Sequence, residues 1–201
     1  MQTIVFDFGN VIGFFDHQRT LTRLAAHSDL TPAQMRAAVY DTPLEDAYEA
    51  GEIATAEFLA EVHRRWRLRC DRDELAAAWA DIFSPNADLC PIIPRLKSRY
   101  RLLLGSNTND LHSRHFRRQF ADTLTHFDGL ILSHEIGVRK PKAEFFQHCQ
   151  KRAGTAPEHC LFIDDMPDNI AGAQACGWRG IVFRDCRDLQ QRLNALGILA
   201  R

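Results

Sequence analysis

The chain has 201 residues, 45% of them hydrophobic, enough for one good core or a core with a small appendage. A formal net charge of −1 gives no general push towards nucleic acid or anionic membrane, and no apolar stretch approaches the roughly 20 residues that span a bilayer. The N-terminus shows no basic n-region or cleavage site and the six cysteines show no CxxC pairing, so they read as reduced thiols, several of them buried, in a cytoplasmic protein.

In chain order, the first element is the apolar run TIVFDF, a strand that ends in Asp7 and Gly9-Asn10. About ninety residues with almost no strand signal follow, and they read as helices DHQRTLTRLAAH, TPAQMRAAVYDT, TAEFLAEVHRRW and RDELAAAWADIF. Thr31-Pro32 and Thr55 are plausible starts, and the basic run HRRWRLR reads as a solvated helix end with Trp66 turned inward. The chain returns through PNADLCPIIPRL to a second strand, YRLLLGSN. Thr108-Asn109-Asp110 then caps a helix from about Leu111 to Phe120. Further strands are FDGLILSHE, CLFIDD and GIVF, with a helix from Pro167 to about Cys176 that is closed by Gly177. These strands are continuous apolar runs separated by helices, the pattern of βαβ units around a parallel sheet covered on both faces. A single crossover needs far less chain than the ninety residues after the first strand, so an all-helical insertion is expected from about Phe15 to Asp88.

In an open parallel sheet, ligands bind at the carboxyl ends of the strands, and that is where the polar residues fall. Strand one delivers Asp7, YRLLLGSN delivers Ser106, Asn107 and Thr108, CLFIDD delivers Asp164 and Asp165, and Arg139-Lys140-Pro141 precedes a helix. Each alone is an ordinary turn, cap or surface residue. Together, three carboxylates at one edge repel one another unless a cation joins them. A divalent metal with oxygen ligands is the natural partner, with Lys140 as a further positive charge. Donors from Ser106 and Asn107 complete a cradle suited to a phosphate, and the set is what phosphoryl transfer needs for charge stabilisation.

With VFDFGNV, GSNT, RKP and FIDDMPDN in that order, the chain resembles the haloacid-dehalogenase superfamily over essentially its full length. The resemblance implies a Rossmann-like α/β core, residues 1–14 and 89–201, with an all-helical cap over 15–88. It also implies Mg²⁺ and a small phosphorylated metabolite as substrate. By position, Asp7 matches the nucleophile and a metal ligand, Asp165 a direct metal ligand, and Asp164 an outer ligand or its orienter. The Gly9 carbonyl matches a further metal ligand. Ser106 and Asn107 match the phosphate-binding pair, and Lys140 matches the lysine that bridges nucleophile and phosphate.

One position departs from the pattern. Most phosphatases of the superfamily carry a second Asp where this chain has Gly9, and that Asp handles the proton. FDFGNV resembles a bacterial branch of sugar-phosphate phosphatases, of the glucose-1-phosphate phosphatase type, that carries a similar Gly-Asn. Asp16 and His17 are nearby substitutes for acid/base work, although Asp16 also reads as an N-cap with His17 exposed in the first turn. His112 and His115 of HSRH read as surface residues. Phe14, Phe15, Tyr40, Tyr48 and Trp79 read mainly as packing for the helices. Two alternatives stay open: a 2-haloacid dehalogenase, which also lacks the second Asp but usually lacks the acidic pair, and a catalytically weak member that binds a phosphorylated ligand or a partner protein. The sequence leaves the oligomeric state open.

Overall fold

The computed structural model describes residues 1–199. Five parallel strands form the central sheet: β1 (Thr3–Phe6), β4 (Arg101–Ser106), β5 (Gly129–Leu132), β6 (Cys160–Asp164) and β7 (Arg179–Val182). Their order is β5-β4-β1-β6-β7, which puts β1 in the middle with β4 and β6 on its two sides. The register pairs Phe6 with Leu104 on one side and with Ile163 on the other, so the ends of these three strands lie level.

The continuous apolar runs have a direct cause. Ile4 and Phe6 face one core cluster with Leu102, Leu104 and Ile163, while Val5 faces another with Leu103 and Phe162. Both faces of the sheet are therefore covered, and every residue of β1 is buried. The first face packs on α6 (Ile92–Lys97), α7 (Asp110–Gln119) and α12 (Cys186–Ala195), through Ile92, Phe116 and Leu189 among others. The second packs on α10 (Ala143–Ala153) and α11 (Pro167–Ala175), through Phe145, Phe146 and Ile170. Short helices α8 (Ala121–Leu124) and α9 (Ser133–Ile136) complete this part. Asn109 caps α7 by accepting from the His112 N–H at 3.0 Å.

Between β1 and β4 lies a helical insertion of α1 (His17–Ala25), α2 (Pro32–Val39), α3 (Leu44–Glu49), α4 (Thr55–Arg65) and α5 (Arg72–Ala80). It has its own core, in which Leu21, Met35, Phe58, Trp66 and Trp79 are fully buried. Trp66 turns inward as expected and donates its indole N–H to the Met35 carbonyl at 2.7 Å. Thr31 and Gln34 form a reciprocal capping box that starts α2.

The structure corrects the sequence reading in two places within this segment. The insertion is not free of strand: β2 (Gly13–Phe15) and β3 (Phe83–Pro85) pair antiparallel and carry the chain out to the helices and back. Each has only one buried residue in three, too few to give a period. A third helix, α3, also appears. It is short, begins after Pro43, and buries only Tyr48.

Candidate active site

The level ends of β1, β4 and β6 form the floor of a cavity of about 250 Å³. Asp7 directly follows β1. Its Oδ1 accepts from the Phe8 N–H at 2.7 Å and from the Lys140 ammonium at 2.7 Å. Asp164 closes β6 and is completely buried. Lys140 Nζ donates to its Oδ2 at 2.7 Å, the Met166 N–H to its Oδ1 at 2.8 Å, and Asn169 Nδ2 lies 3.0 and 3.1 Å from its two oxygens. Asp165 is half-buried and accepts from Asn10 Nδ2 at 3.0 Å. One oxygen from each of Asp7, Asp164 and Asp165 falls within 4.8 Å of the others.

Burial pushes the Asp7 carboxyl up to about 7, because the pull of Lys140 does not offset desolvation and the repulsion of Asp164 and Asp165. Asp165 is raised for the same first reason, burial, with Asp164 adding to it. Burial opposes the charge on Lys140, but Asp7 and Asp164 outweigh it and hold the ammonium above its ordinary value. A single Lys thus serves three crowded carboxylates. Hard oxygen donors with a surplus of negative charge fit a divalent cation such as Mg²⁺, so the donor set passes that chemical test.

Lys140 is itself held at both ends. The Asn107 side chain accepts from the Lys140 N–H at 2.8 Å and donates to its carbonyl at 3.1 Å. Asn107 and Ser106 both line the cavity, so β4 delivers them where the sequence placed them. The Asn10 backbone explains the Gly-Asn after the first strand. Its φ is +54°, a left-handed conformation that Asn tolerates, and the turn aims its amide at Asp165. Gly9 lines the cavity too, and a Cβ there would meet the Phe15 ring at 3.1 Å.

The insertion supplies the opposite wall with His17, Phe15 and Glu49. His17 is not the exposed residue of a first turn. Its ring packs on Tyr40 at 4.5 Å and Phe15 at 5.1 Å, and its Nδ1 is buried with no partner. Burial and then Arg36 push its pKa down to about 4. Asp16, by contrast, is exposed and caps α1, accepting from the Gln18 N–H at 2.8 Å, and it does not line the cavity.

Three wall residues, His112, Arg139 and Glu49, carried no role in the sequence reading. His112 is buried rather than on the surface, with Nε2 3.0 Å from the Trp79 carbonyl and Nδ1 2.9 Å from Asn109. Burial pushes it down to about 3, so it is neutral. Its spacing was a usable signal, because His112, Phe116 and Phe120 fall at i, i+4 and i+8 and are all buried. Arg139 pairs with Asp46 at 2.5 Å and Glu49 at 3.0 Å, which ties α3 to the segment before Lys140. No sequence spacing announces that contact.

The family model for haloacid dehalogenase-like hydrolases matches residues 1–177. The chain belongs to that family. A D-ribitol-5-phosphate phosphatase from Bacteroides thetaiotaomicron is 27% identical over 204 residues, covering 98% of each chain. Among solved structures, a predicted HAD-like family hydrolase from Porphyromonas gingivalis superposes with a TM-score of 0.83 at 24% identity, covering 100% of this chain and 99% of that one. A HAD family enzyme from Bacteroides thetaiotaomicron, solved as wild type with magnesium and inorganic phosphate, superposes with a TM-score of 0.79 at 22% identity, covering 92% and 95%. These likenesses show the family's fold, a Rossmann-like parallel sheet with an inserted helical cap. Among the described residues, no helix is long and apolar enough to cross a membrane.

Proposed function

We propose that the protein is a divalent-metal-dependent phosphohydrolase that removes phosphate from a small phosphorylated metabolite through a covalent intermediate on Asp7. The observation that carries this reading is the cluster itself: three carboxylates within 4.8 Å, with Lys140 2.7 Å from two of them, at the carboxyl edge of a parallel sheet. The whole-length similarity to a sugar-alcohol phosphatase supports it. We take residues 1–14 and 89–201 as the catalytic core and 15–88 as the cap.

In this reading Asp7 attacks phosphorus through Oδ2, since Oδ1 is held by Phe8 and Lys140. The Asp7 O–P bond forms as the ester P–O bond breaks, and the departing oxygen leaves with the electron pair. Water then attacks phosphorus as the Asp7 O–P bond breaks. One of its protons stays on the released hydrogen phosphate, and the other passes through solvent to make good the proton taken up by the departing alkoxide, which regenerates the carboxylate. Lys140, fixed through its backbone by Asn107, keeps the carboxylate and the phosphate oxygens from repelling each other. Ser106 and Asn107 donate to those oxygens. Asp7, Asp165 and the Gly9 carbonyl would hold Mg²⁺, with Asp164 orienting the group; when bound, the cation would neutralise charge on the transferring phosphoryl group.

Proton supply to the leaving oxygen rests on fewer groups. Asp16 is engaged as a cap, which leaves His17 as the candidate that faces the cavity. With a pKa near 4, His17 is neutral at pH 7 and acts as a hydrogen-bonding group rather than as an imidazolium donor.

The decisive experiment measures phosphate release from 4-nitrophenyl phosphate and a panel of phosphorylated metabolites, with Mg²⁺ and with excess EDTA. Release with Mg²⁺ that stops in EDTA is expected. Undiminished turnover in EDTA would overturn the metal-dependent reading and return the dehalogenase to consideration.

A further inference from the structure

We infer that Glu49 selects substrates by charge, so that the organic part of the phosphomonoester must be uncharged and hydroxyl-bearing. An ester that carries a second anionic group near this wall is rejected. The inference rests on the phosphatase reading above and specifies which esters the cavity admits.

Two cations line the cavity, Lys140 and Arg139, and both are already ion-paired with carboxylates, although the buried Nε of Arg139 has no partner. Lys140 lies 2.7 Å from Asp7 and from Asp164, at the phosphate end. Arg139 lies 2.5 Å from Asp46 and 3.0 Å from Glu49, at the side of the insertion. The two histidines on the wall offer no charge, because burial drives His17 down to about 4 and His112 down to about 3. A carboxylate or second phosphate on the substrate would therefore find no free cation. It would instead face Glu49, whose carboxyl pKa burial raises while the Arg139 guanidinium 3.0 Å away favours its charged form, and like charges in a partly dehydrated cavity repel strongly.

Glu49 cannot easily retreat. Its backbone carbonyl lies 2.6 Å from the Ser133 hydroxyl, and Gly51, just beyond α3, passes so close to α9 that a Cβ there would sit 2.5 Å from the His134 carbonyl oxygen. The φ of +70° at Gly51 reinforces the need for glycine. Nor can a substrate anion displace Glu49 from Arg139 without leaving the displaced carboxylate buried and unpaired. The surroundings already carry an acidic surplus, since burial and then Glu49 and Asp46 push neighbouring Glu45 up to about 8.

The same wall suits hydroxyl groups. Glu49 accepts hydrogen bonds, so a hydroxylated chain on the leaving oxygen can donate to it. Phe15 and Phe83, also on the lining, give its carbon skeleton an apolar surface.

The test compares kcat/KM for glycerol 1-phosphate and 3-phosphoglycerate with Mg²⁺ present. The two share a three-carbon skeleton and differ in a terminal hydroxymethyl against a carboxylate. Wild type is expected to prefer glycerol 1-phosphate by about 10²-fold, in keeping with a like-charge contact. Glu49→Gln should bring the two within about tenfold, through a gain on 3-phosphoglycerate, because Arg139 is then partly released to pair with its carboxylate. Asp46→Asn, which also frees part of Arg139 but leaves Glu49 in the cavity, should keep glycerol 1-phosphate preferred with a narrower gap than in wild type. Equal rates or the opposite preference in wild type would overturn the inference without any variant. So would an unchanged ratio in Glu49→Gln. 4-Nitrophenyl phosphate separates the two failures: activity on it without discrimination overturns charge selection alone, whereas a protein inert towards all three esters overturns the phosphatase reading as well.

Discussion

The sheet edge and the helical insertion face each other across one cavity, and they hold their polar groups differently. At the sheet edge nearly every polar atom is occupied. Asp164 meets Lys140, Asn169 and the Met166 N–H, while Asn107 grips the Lys140 backbone from both sides. Across the cavity, His17 Nδ1 is buried without a partner, and Glu49 is held through its side chain by Arg139. The contrast separates two tasks. Chemistry that repeats for every substrate needs groups fixed before it arrives, and the strand ends supply them. Recognition of a particular molecule needs groups that the molecule itself completes, and in the proposed reading Glu49 of the insertion is such a group.

The sharpest way to break the comparison is at its centre. Asp7→Asn should lower turnover by on the order of 10³-fold or more, since an amide does not attack phosphorus as a carboxylate does. The fold should persist, because Lys140 keeps Asp164 as a partner. Steady-state kinetics with circular dichroism on the same preparation checks both halves, and substantial residual turnover would refute the covalent route.

Lys140→Ala comes next and should damage both tasks of the sheet edge. It leaves Asp7 and Asp164 buried without their shared cation, a loss of the kind that costs about 3–5 kcal/mol. Thermal melts should show a lower Tm that Mg²⁺ partly restores, together with a loss of activity. A variant as stable as wild type without metal would show that Asp7 and Asp164 do not depend on Lys140 for their burial.

Where α7 of the core meets Trp79 of the insertion, the comparison can be sharpened by pH. His112 is buried and neutral, so its folded pKa of about 3 lies below the unfolded value of about 6.5. Unfolding therefore takes up a proton between those limits. The stability this group contributes is complete above pH 6.5 and is lost as pH falls towards 3, on the order of 5 kcal/mol in all. Denaturant titrations at several pH values should show a shallower acid limb for His112→Gln than for wild type. Parallel limbs in the two proteins would rule out this assignment.

How far the sequence discloses these features depends on how local their causes are. The five sheet strands are legible because both faces are buried, as Ile4 and Val5 show by packing into opposite clusters. Asp7, Ser106 and Asp164 are legible because the carboxyl end of a parallel strand is a known place for chemistry. The β2–β3 pair is not legible, since two three-residue strands with one buried residue each carry no period. Glu49 is out of reach for a different reason. Its meaning comes from Arg139 and Ser133, far away in the chain and brought close only by folding. His17 lies between the two cases. Asp16 before it is the helix cap that its residue type suggests, but the inward turn of the His17 ring depends on Phe15 and Tyr40.

The smallest expected effect concerns Gly9, where the two regions touch. Most relatives of this pattern place a proton-handling carboxylate here, and in this protein the space above Gly9 is filled by the Phe15 ring. A Cβ at Gly9 would meet Phe15 Cε1 at 3.1 Å and Cδ1 at 3.3 Å, so a new side chain must push the ring aside before its carboxyl can reach the cavity. With no general acid in place, rates should fall steeply from aryl to simple alkyl phosphates as the leaving-group pKa rises. Gly9→Asp alone should change that slope little. Gly9→Asp combined with Phe15→Ala opens the space and should flatten it, with a gain of about tenfold on alkyl phosphates, below the roughly 10²–10⁴-fold of a general acid held in its native place. Phe15→Ala by itself separates the loss of the ring from the arrival of the acid, and should leave the slope steep. A wild-type slope that is already flat would mean that the proton comes from elsewhere. If alanine at position 17 then steepened it, His17 would be the source.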